Sequence, residues 1–239
     1  AISLLSMREF ASLWPDQPMP RGRLLTVYGL IVGGYVALAI GSVHGFVTWI
    51  PLLAVALPSV MLVLRGKSKS FVSHVGRVAF GVLLTTFALG HVAMLVSLAP
   101  DPNPVADAAG LFLFVIVVTE LNDIAQALVG RRVGSRKLTS ISPNKTWEGF
   151  AGGVVAATVA AALLGHWLTP MTWYQSTLAG VLISIFGLLG DLNMSAIKRD
   201  AGVKDSGDLL PGQGGILDRV DSLTFTAPLF YYYFVGCCT

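Results

Sequence analysis

Long apolar runs alternate with short polar breaks along the whole chain. Seven runs stand out, at 24–41, 45–64, 77–98, 108–129, 149–168, 173–192 and 219–236. Each is near the ~20 residues a helix needs to cross a hydrocarbon core. The pattern predicts an all-α, polytopic helical membrane protein with about seven transmembrane helices. Gly33, Gly34, Gly81, Gly90, Gly152, Gly153, Gly180 and Gly187 lie within these runs. Small residues let helices pack closely where lipid removes the gain from burying apolar side chains. His91 is a lone histidine inside a run and reads as a helix–helix contact.

Composition supports the pattern. The 239 residues are 54% hydrophobic and 12% charged, with a mean hydropathy of +0.72. A soluble domain carries about twice that charged fraction, so a water-soluble helical bundle is the weaker reading.

Charge then orients the chain. Every Lys and Arg falls in one alternating set of breaks: Arg8 to Arg23, Arg65 to Arg77, Arg131 to Lys145, and Lys198 to Arg219. The other set, around 42–44, 99–107, 165–172 and the C-terminus, has none. By the positive-inside rule the basic face is cytoplasmic. The net charge of +3 reflects this face. It points to anionic lipid headgroups and not to nucleic acid. Cys237 and Cys238 are adjacent, which suits neither a disulfide framework nor a metal site.

Three regions are expected: an interfacial N-terminal segment at 1–23, N-terminal transmembrane helices at 24–105, and a catalytic transmembrane region at 106–239. The apolar start leading into Met7-Arg8-Glu9-Phe10 reads as the end of a helix that begins further upstream. Pro100, Pro102 and Pro104 predict a rigid turn over 99–107. Two longer polar stretches, 130–148 and 193–218, hold the unusual residues.

Glu120, Asn122, Asp123 and Gln126 end the fourth run, and Glu120 and Asp123 share a helical face at i, i+3. Acids in a membrane helix are costly and mark function. In Ser142-Pro143-Asn144-Lys145-Thr146-Trp147-Glu148-Gly149-Phe150, Pro143 stops any preceding helix. Lys145 and the amides that follow could hold a phosphate at a helix N-terminus. Asp191, Ser195 and Lys198 follow at i, i+4, i+7 at the end of the sixth run. Gly212, Gly214 and Gly215 allow a tight loop whose amides can approach an anion. Asp218 and Asp221, at i, i+3, are expected on one face where the seventh run begins. Carboxylates are hard ligands suited to Mg²⁺, and the interleaved bases suit phosphates. The combination reads as a metal–polyphosphate site at the membrane surface.

The stretch from Ser195 to Asp221 resembles the signature of the phosphatidate cytidylyltransferases (CDP-diacylglycerol synthases). Ser195, Lys198, Arg199, Lys204, Asp205, Pro211, Gly212, Gly214, Gly215, Asp218, Arg219 and Asp221 match that pattern in register. The segment 142–150, Asn122-Asp123 and Arg8-Glu9-Phe10 are similar to the family as well. Gln213 stands where the family usually has histidine, so it can hydrogen-bond but not carry charge. The resemblance implies transfer of CMP from CTP to the phosphate of phosphatidic acid, with release of pyrophosphate. It implies Asp191 and Asp218 as metal ligands, with Asp221, Asp205 and Asp123 as further candidates. Lys145, Lys198, Arg199, Lys204 and Arg219 become phosphate binders. Asn122, Ser142, Ser195, Gln213, Gly214 and Gly215 complete the substrate site. Mg²⁺ is the expected cofactor, with a second cation such as K⁺ left open. A homodimer in a bacterial inner membrane, its site facing the cytoplasm, is the expected setting. The competing readings are CMP transfer to another lipid phosphate, and a non-catalytic transporter or lipid-binding scaffold. A transporter should carry polar residues near the midplane of several spans, whereas here they gather at one interface.

Overall fold

The computed structural model describes residues 1–16, 18–66, 69–98, 109–207, 209 and 214–238. Gln213, Gly212 and the expected turn over 99–107 lie outside the described residues. Among those described, the architecture is all-α. The helices are α1 (Ile2–Ser12), α2 (Arg21–Ala39), α3 (Val43–Leu64), α4 (Phe71–Val82), α5 (Leu89–Ser97), α6 (Gly110–Val133), α7 (Trp147–Leu168), α8 (Trp173–Asp200) and α9 (Leu223–Cys238). A π-helical segment, Leu83–Ala88, links α4 to α5, and Leu217–Arg219 forms a 3₁₀ turn.

Among the described residues six helical segments are long and apolar enough to cross a membrane: α2, α3, the continuous stretch Phe71–Ser97, α6, α7 and α8. The seventh expected span corresponds to α9, which has 16 residues. At 1.5 Å per residue it reaches roughly 24 Å, short of a ~30 Å hydrocarbon core. The protein is an integral membrane protein by this count. Backbone polarity explains the architecture, since in lipid only internally bonded helices or closed barrels leave no amide unpaired.

The chain divides into two compact units, residues 1–90 with 203–219, and residues 91–202 with 220–239. In this division 203–219 lies with residues 1–90, residues 91–105 lie with the second unit, and 1–23 is not a unit of its own. Hydrogen bonds between distant parts of the chain hold 203–219 there. Ile216 and Leu217 donate their backbone N–H groups to the Glu9 carboxylate of α1, at 2.9 and 2.8 Å.

In the first unit the core is built on Met7, Phe10, Phe46, Ile50 and Val82. Phe10 fills the space left by Gly81, where a Cβ would come within 2.7 Å of its ring. Phe46 stacks on Phe87 at 6.0 Å. The expected interfacial segment thus contains a short helix whose Met7 and Phe10 are buried, followed by the first turn of α2. In the π segment the Thr85 hydroxyl donates to the Gly81 carbonyl at 2.8 Å, one way a membrane helix supports an irregular turn.

In the second unit α6 to α9 pack through small residues. Gly149, Gly153, Ala157, Ala161 and Gly165 form the buried stripe of α7. A Cβ on Gly180 of α8 would lie 2.7 Å from the Ala157 carbonyl oxygen. The expectation for the glycines holds at Gly34, Gly81, Gly90, Gly152, Gly153, Gly180 and Gly187. At Gly33 a Cβ would meet no described atom within 4 Å. His91 is fully buried, with its ring 5.4 Å from those of Tyr231 and Tyr232. It is a packing contact, as expected.

Candidate active site

The second unit gathers the polar residues of α6, the 134–146 segment, α8 and the turn before α9. Asn122 of α6 is wholly buried, so both ends of its amide need partners. Ser184 of α8 donates its hydroxyl to Asn122 Oδ1 at 2.6 Å. Asn122 Nδ2 in turn donates to Asp123 Oδ1 at 3.1 Å. The pair fixes Asp123 on the inward side of α6. Glu120, one turn earlier, is exposed, so the two acids do not share a surface in the way their spacing predicts. The charges acting on Asp123 are Lys145, Asp191 and Glu120.

Lys145 reaches this cluster because the chain before α7 folds back on itself. Lys145 N–H donates to the Ser142 carbonyl at 3.0 Å, Leu138 N–H donates to the Lys145 carbonyl at 2.9 Å, and Lys137 and Thr146 form an isolated antiparallel bridge. The Thr146 hydroxyl then accepts from Gly149 N–H at 3.1 Å and starts α7, an N-cap that satisfies an otherwise orphaned donor. Glu148 accepts from Ser135 and Arg136 and ties down the other end of the segment. The result places Lys145 Nζ 2.5 Å from Asp191 Oδ2 and 3.4 Å from Gln126 Oε1. Ser142 enters the arrangement through its carbonyl.

Asp191 sits near the end of α8. Ser195, one turn on, donates to Asp191 Oδ1 at 3.4 Å, and Lys198 follows on the same face. The turn before α9 reaches Asp191 because Gly190 has no side chain. A Cβ there would lie 2.6 Å from the Asp221 carbonyl oxygen and 3.1 Å from Ser222 Cα. Asp221 Oδ1 accepts from Ser222 N–H at 2.7 Å, and its carbonyl accepts from the Thr224 hydroxyl at 2.6 Å. Burial, then the charges of Asp191 and Asp123, push the Asp221 carboxyl up to about 7, against the pull of the Ser222 N–H and of Lys198. Such a conflict of like charges in a partly buried pocket is typical of sites that bind a cation or move a proton.

The first unit holds the rest of the signature. Glu9 is buried and accepts from Ile216 N–H and Leu217 N–H, and from the Ser206 hydroxyl at 3.3 Å. Asp218 Oδ2 accepts from Ser206 N–H at 2.8 Å, the Ser206 hydroxyl at 3.0 Å and Gly215 N–H at 3.3 Å. Gly215 is required here, since a Cβ would come 2.5 Å from Glu9 Oε2. Gly214 has φ of 80°, a left-handed conformation that favours glycine. Lys204, Asp205 and Arg219 are exposed.

Asp123, Asp191, Asp221, Lys145, Lys198, Ser195 and Asn122 therefore come together in the second unit. Arg199 is exposed at the end of α8. Asp218 and Asp221 do not share a helical face as their spacing predicts. The 3₁₀ turn ends at Arg219 and α9 starts only at Leu223, so the two acids lie on different elements. Asp218 is instead bonded within the signature loop. Glu9, Ser184 and Ser206 were not assigned roles from the sequence. Glu9 had a usable signal, an acid in a short helix beside Met7 and Phe10. Ser184 stands seven residues before Asp191 on the same face but carried no chemistry of its own.

Among the described residues no group of three or more His, Cys, Asp or Glu forms a ready cage for a metal. Mg²⁺ does not need one, because it characteristically takes one or two carboxylates and completes its shell with water and substrate phosphates. Asp191 and Asp221, with Asp123 behind them, are hard oxygen donors of that kind.

The model of the family described as "Cytidylyltransferase family" matches residues 1–237. The chain is 43% identical over 238 residues to the protein named "Uncharacterized protein YnbB" of Escherichia coli (strain K12), covering 99% of this chain and 78% of that one. It is 50% identical over 115 residues to a phosphatidate cytidylyltransferase of Synechocystis, 47% of this chain and 39% of the relative. A phosphatidate cytidylyltransferase of Bacillus subtilis is 47% identical over 121 residues, 50% of this chain and 45% of the relative. The matches to these two enzymes span less than half of their lengths. The acid–lysine cluster closed by α6, α8 and the turn before α9 thus belongs to a scaffold matched almost from end to end, and the chain is a member of the cytidylyltransferase family.

Proposed function

We propose that the chain is a phosphatidate cytidylyltransferase, transferring CMP from CTP to the phosphate of phosphatidic acid with release of pyrophosphate. The observation that carries the reading is the cluster of Asp123, Asp191 and Asp221 with Lys145 and Lys198, in a membrane protein of this family. Acids that act on one another's charge favour a divalent cation that is completed by substrate and water, and the lysines favour phosphates.

In the reaction an oxygen of the lipid phosphate attacks the α-phosphorus of CTP. A new P–O bond forms, and the bond to the bridging oxygen breaks, with its electron pair leaving on pyrophosphate. The attacking phosphate is already anionic, so no strong base is needed, and positioning and charge stabilisation dominate. Asp191 and Asp221 would hold Mg²⁺, which supplies Lewis-acid neutralisation of the phosphates; the family pattern adds Asp218. Lys145 leaves its ion pair with Asp191 to bind a phosphate oxygen. Lys198, and the exposed Arg199, Lys204 and Arg219, bind the remaining charge. Asn122, held by Ser184, orients Asp123. The basic loops beside it support a site at the cytoplasmic face, by the positive-inside rule.

A second reading changes only the acceptor, to another lipid phosphate. It is favoured by Gln213 in the position of the family histidine and by the short extent of the matches to the two phosphatidate cytidylyltransferases. Labelled CTP offered to the purified chain with a panel of lipid phosphates separates the two. Formation of a CDP-lipid and pyrophosphate in equal amounts is expected, with phosphatidic acid preferred. Turnover of another lipid phosphate alone selects the second reading. No transfer to any lipid by folded protein overturns both.

A further inference from the structure

Arginines meet in the first unit, apart from any residue given a chemical role above. Arg23 lies in the first turn of α2 and is 8% exposed. Its Nε is buried without a hydrogen-bond partner. The charges acting on it are Arg77 and Arg65, both of its own sign. Arg65 caps the end of α3, and its Nη2 lies 3.7 Å from where a Cβ would stand on Gly22. Arg77 of α4 sits over the Trp14 ring, 5.2 Å from its centroid.

The setting of Arg23 is adverse in the absence of an anion. A buried guanidinium needs its donors satisfied. Like charges repel more strongly as water is excluded. The first turn of a helix carries a partial positive charge, yet α2 starts at Pro20 with no side-chain cap, no acid in its first turn, and Arg21 and Arg23 in place of one. A phosphate relieves all of these at once. It accepts from guanidinium forks and from helix N-terminal amides.

The surroundings specify the carrier. Arg23 is the only charged residue among the described residues lining a crevice between α2, α3 and α4. The other walls include Leu30, Ala54, Leu57, Pro58 and Val82. Arg23 also lies in the first turn of a membrane span, Arg21–Ala39, near the depth at which lipid phosphates lie. A headgroup charge at one end and exposed apolar helix faces beside it match an amphiphile.

We propose that Arg23, Arg65 and Arg77 form a binding site for the phosphate of an anionic phospholipid whose acyl chains lie along the exposed apolar faces of α2 and α3, which carry Leu25, Val32, Val60 and Val63. The site shares no residue with the acid–lysine cluster, and it is tested by binding alone, whether or not the chain transfers CMP.

The test uses the full chain in a neutral detergent. Retained lipid is read by native mass spectrometry, and thermal unfolding is followed in parallel. Dioleoyl phosphatidylglycerol, dioleoyl phosphatidylcholine and inorganic phosphate are the probes. Wild type should retain phosphatidylglycerol in preference to phosphatidylcholine and unfold at a higher temperature with it. Arg23→Gln should lower retention by about tenfold or more, the scale of a lost charged hydrogen bond, and Arg65→Gln should lower it less. Equal retention by wild type and Arg23→Gln overturns the proposal. If Arg23→Gln does not fold, Arg65→Gln decides in its place, because that side chain is exposed and wild-type retention by it overturns the site. Stabilisation by inorganic phosphate as large as that by the lipid, with no lipid retained, assigns the arginines to a soluble phosphate and overturns the lipid assignment.

Discussion

Asp221 bears the sharpest electrostatic conflict in the second unit. Its carboxyl rises from 3.8 to about 7 because it is buried and faces Asp191 and Asp123. The folded state therefore holds this proton more tightly than the unfolded chain. The stability it contributes is present at low pH and is lost as pH rises from about 4 through about 7. In metal-free protein, thermal unfolding should weaken over that window, and Asp221→Asn should flatten that part of the profile. A profile that keeps its slope in the variant would place the titration elsewhere. Metal competes with the same proton, so divalent-cation affinity should rise through pH 7. Lys145 and Asp191 call for a paired test. Asp191→Asn should lower CMP transfer by roughly a hundredfold or more, and Lys145→Ala by a similar amount. Added Mg²⁺ should recover part of the first loss and none of the second. Identical responses to Mg²⁺ would show that the two side chains do not divide into cation holder and phosphate binder.

At the scale of elements, small residues decide which helices can approach. Gly180→Ala would press a methyl group on the Ala157 carbonyl and the Ala161 side chain, each at 2.7 Å. It should cost about 1–3 kcal/mol, as overpacking does. Gly33→Ala meets nothing within 4 Å among the described residues. Its sign should be neutral or favourable, by up to ~1 kcal/mol of helix propensity. Thermal unfolding of the two variants in one detergent checks the contrast, and equal destabilisation would mean that α2 has a partner at Gly33. Both glycines look alike in the sequence, each within an apolar run. Only the packing distinguishes them. The same holds for the polar positions. Thr146 could be read as a cap from its place after Pro143 and Asn144, because capping is local chemistry. Glu9 could not be read as the anchor of the 206–217 segment, because its partners lie about two hundred residues away.

For the molecule as a whole, six spans leave every basic stretch on one face, as seven did. With Cys237 and Cys238 replaced by Ser, an impermeant thiol reagent should label Asn103→Cys and Pro170→Cys from outside intact cells. Lys137→Cys and Asp205→Cys should be labelled only after permeabilisation. Labelling of both pairs from the same side would break the span assignment. The sequence by itself determined the helical class, the runs that become spans and the segments in which the polar residues gather. These follow from composition and near-neighbour spacing, since lipid leaves a single chain segment few alternatives to a helix. It also carried the signature that marks the family, because those residues are contiguous. What only the tertiary structure decided is which acids act on one another's charge. Asp123 and Asp221 are almost a hundred residues apart in the chain, yet both act on one another beside Asp191. Asp218 is three residues from Asp221, yet it bonds within the loop that Glu9 anchors. Spacing predicts a shared face only while the helix continues. The break between Arg219 and Leu223, and the missing side chain at Gly190, set the partners of these carboxylates instead.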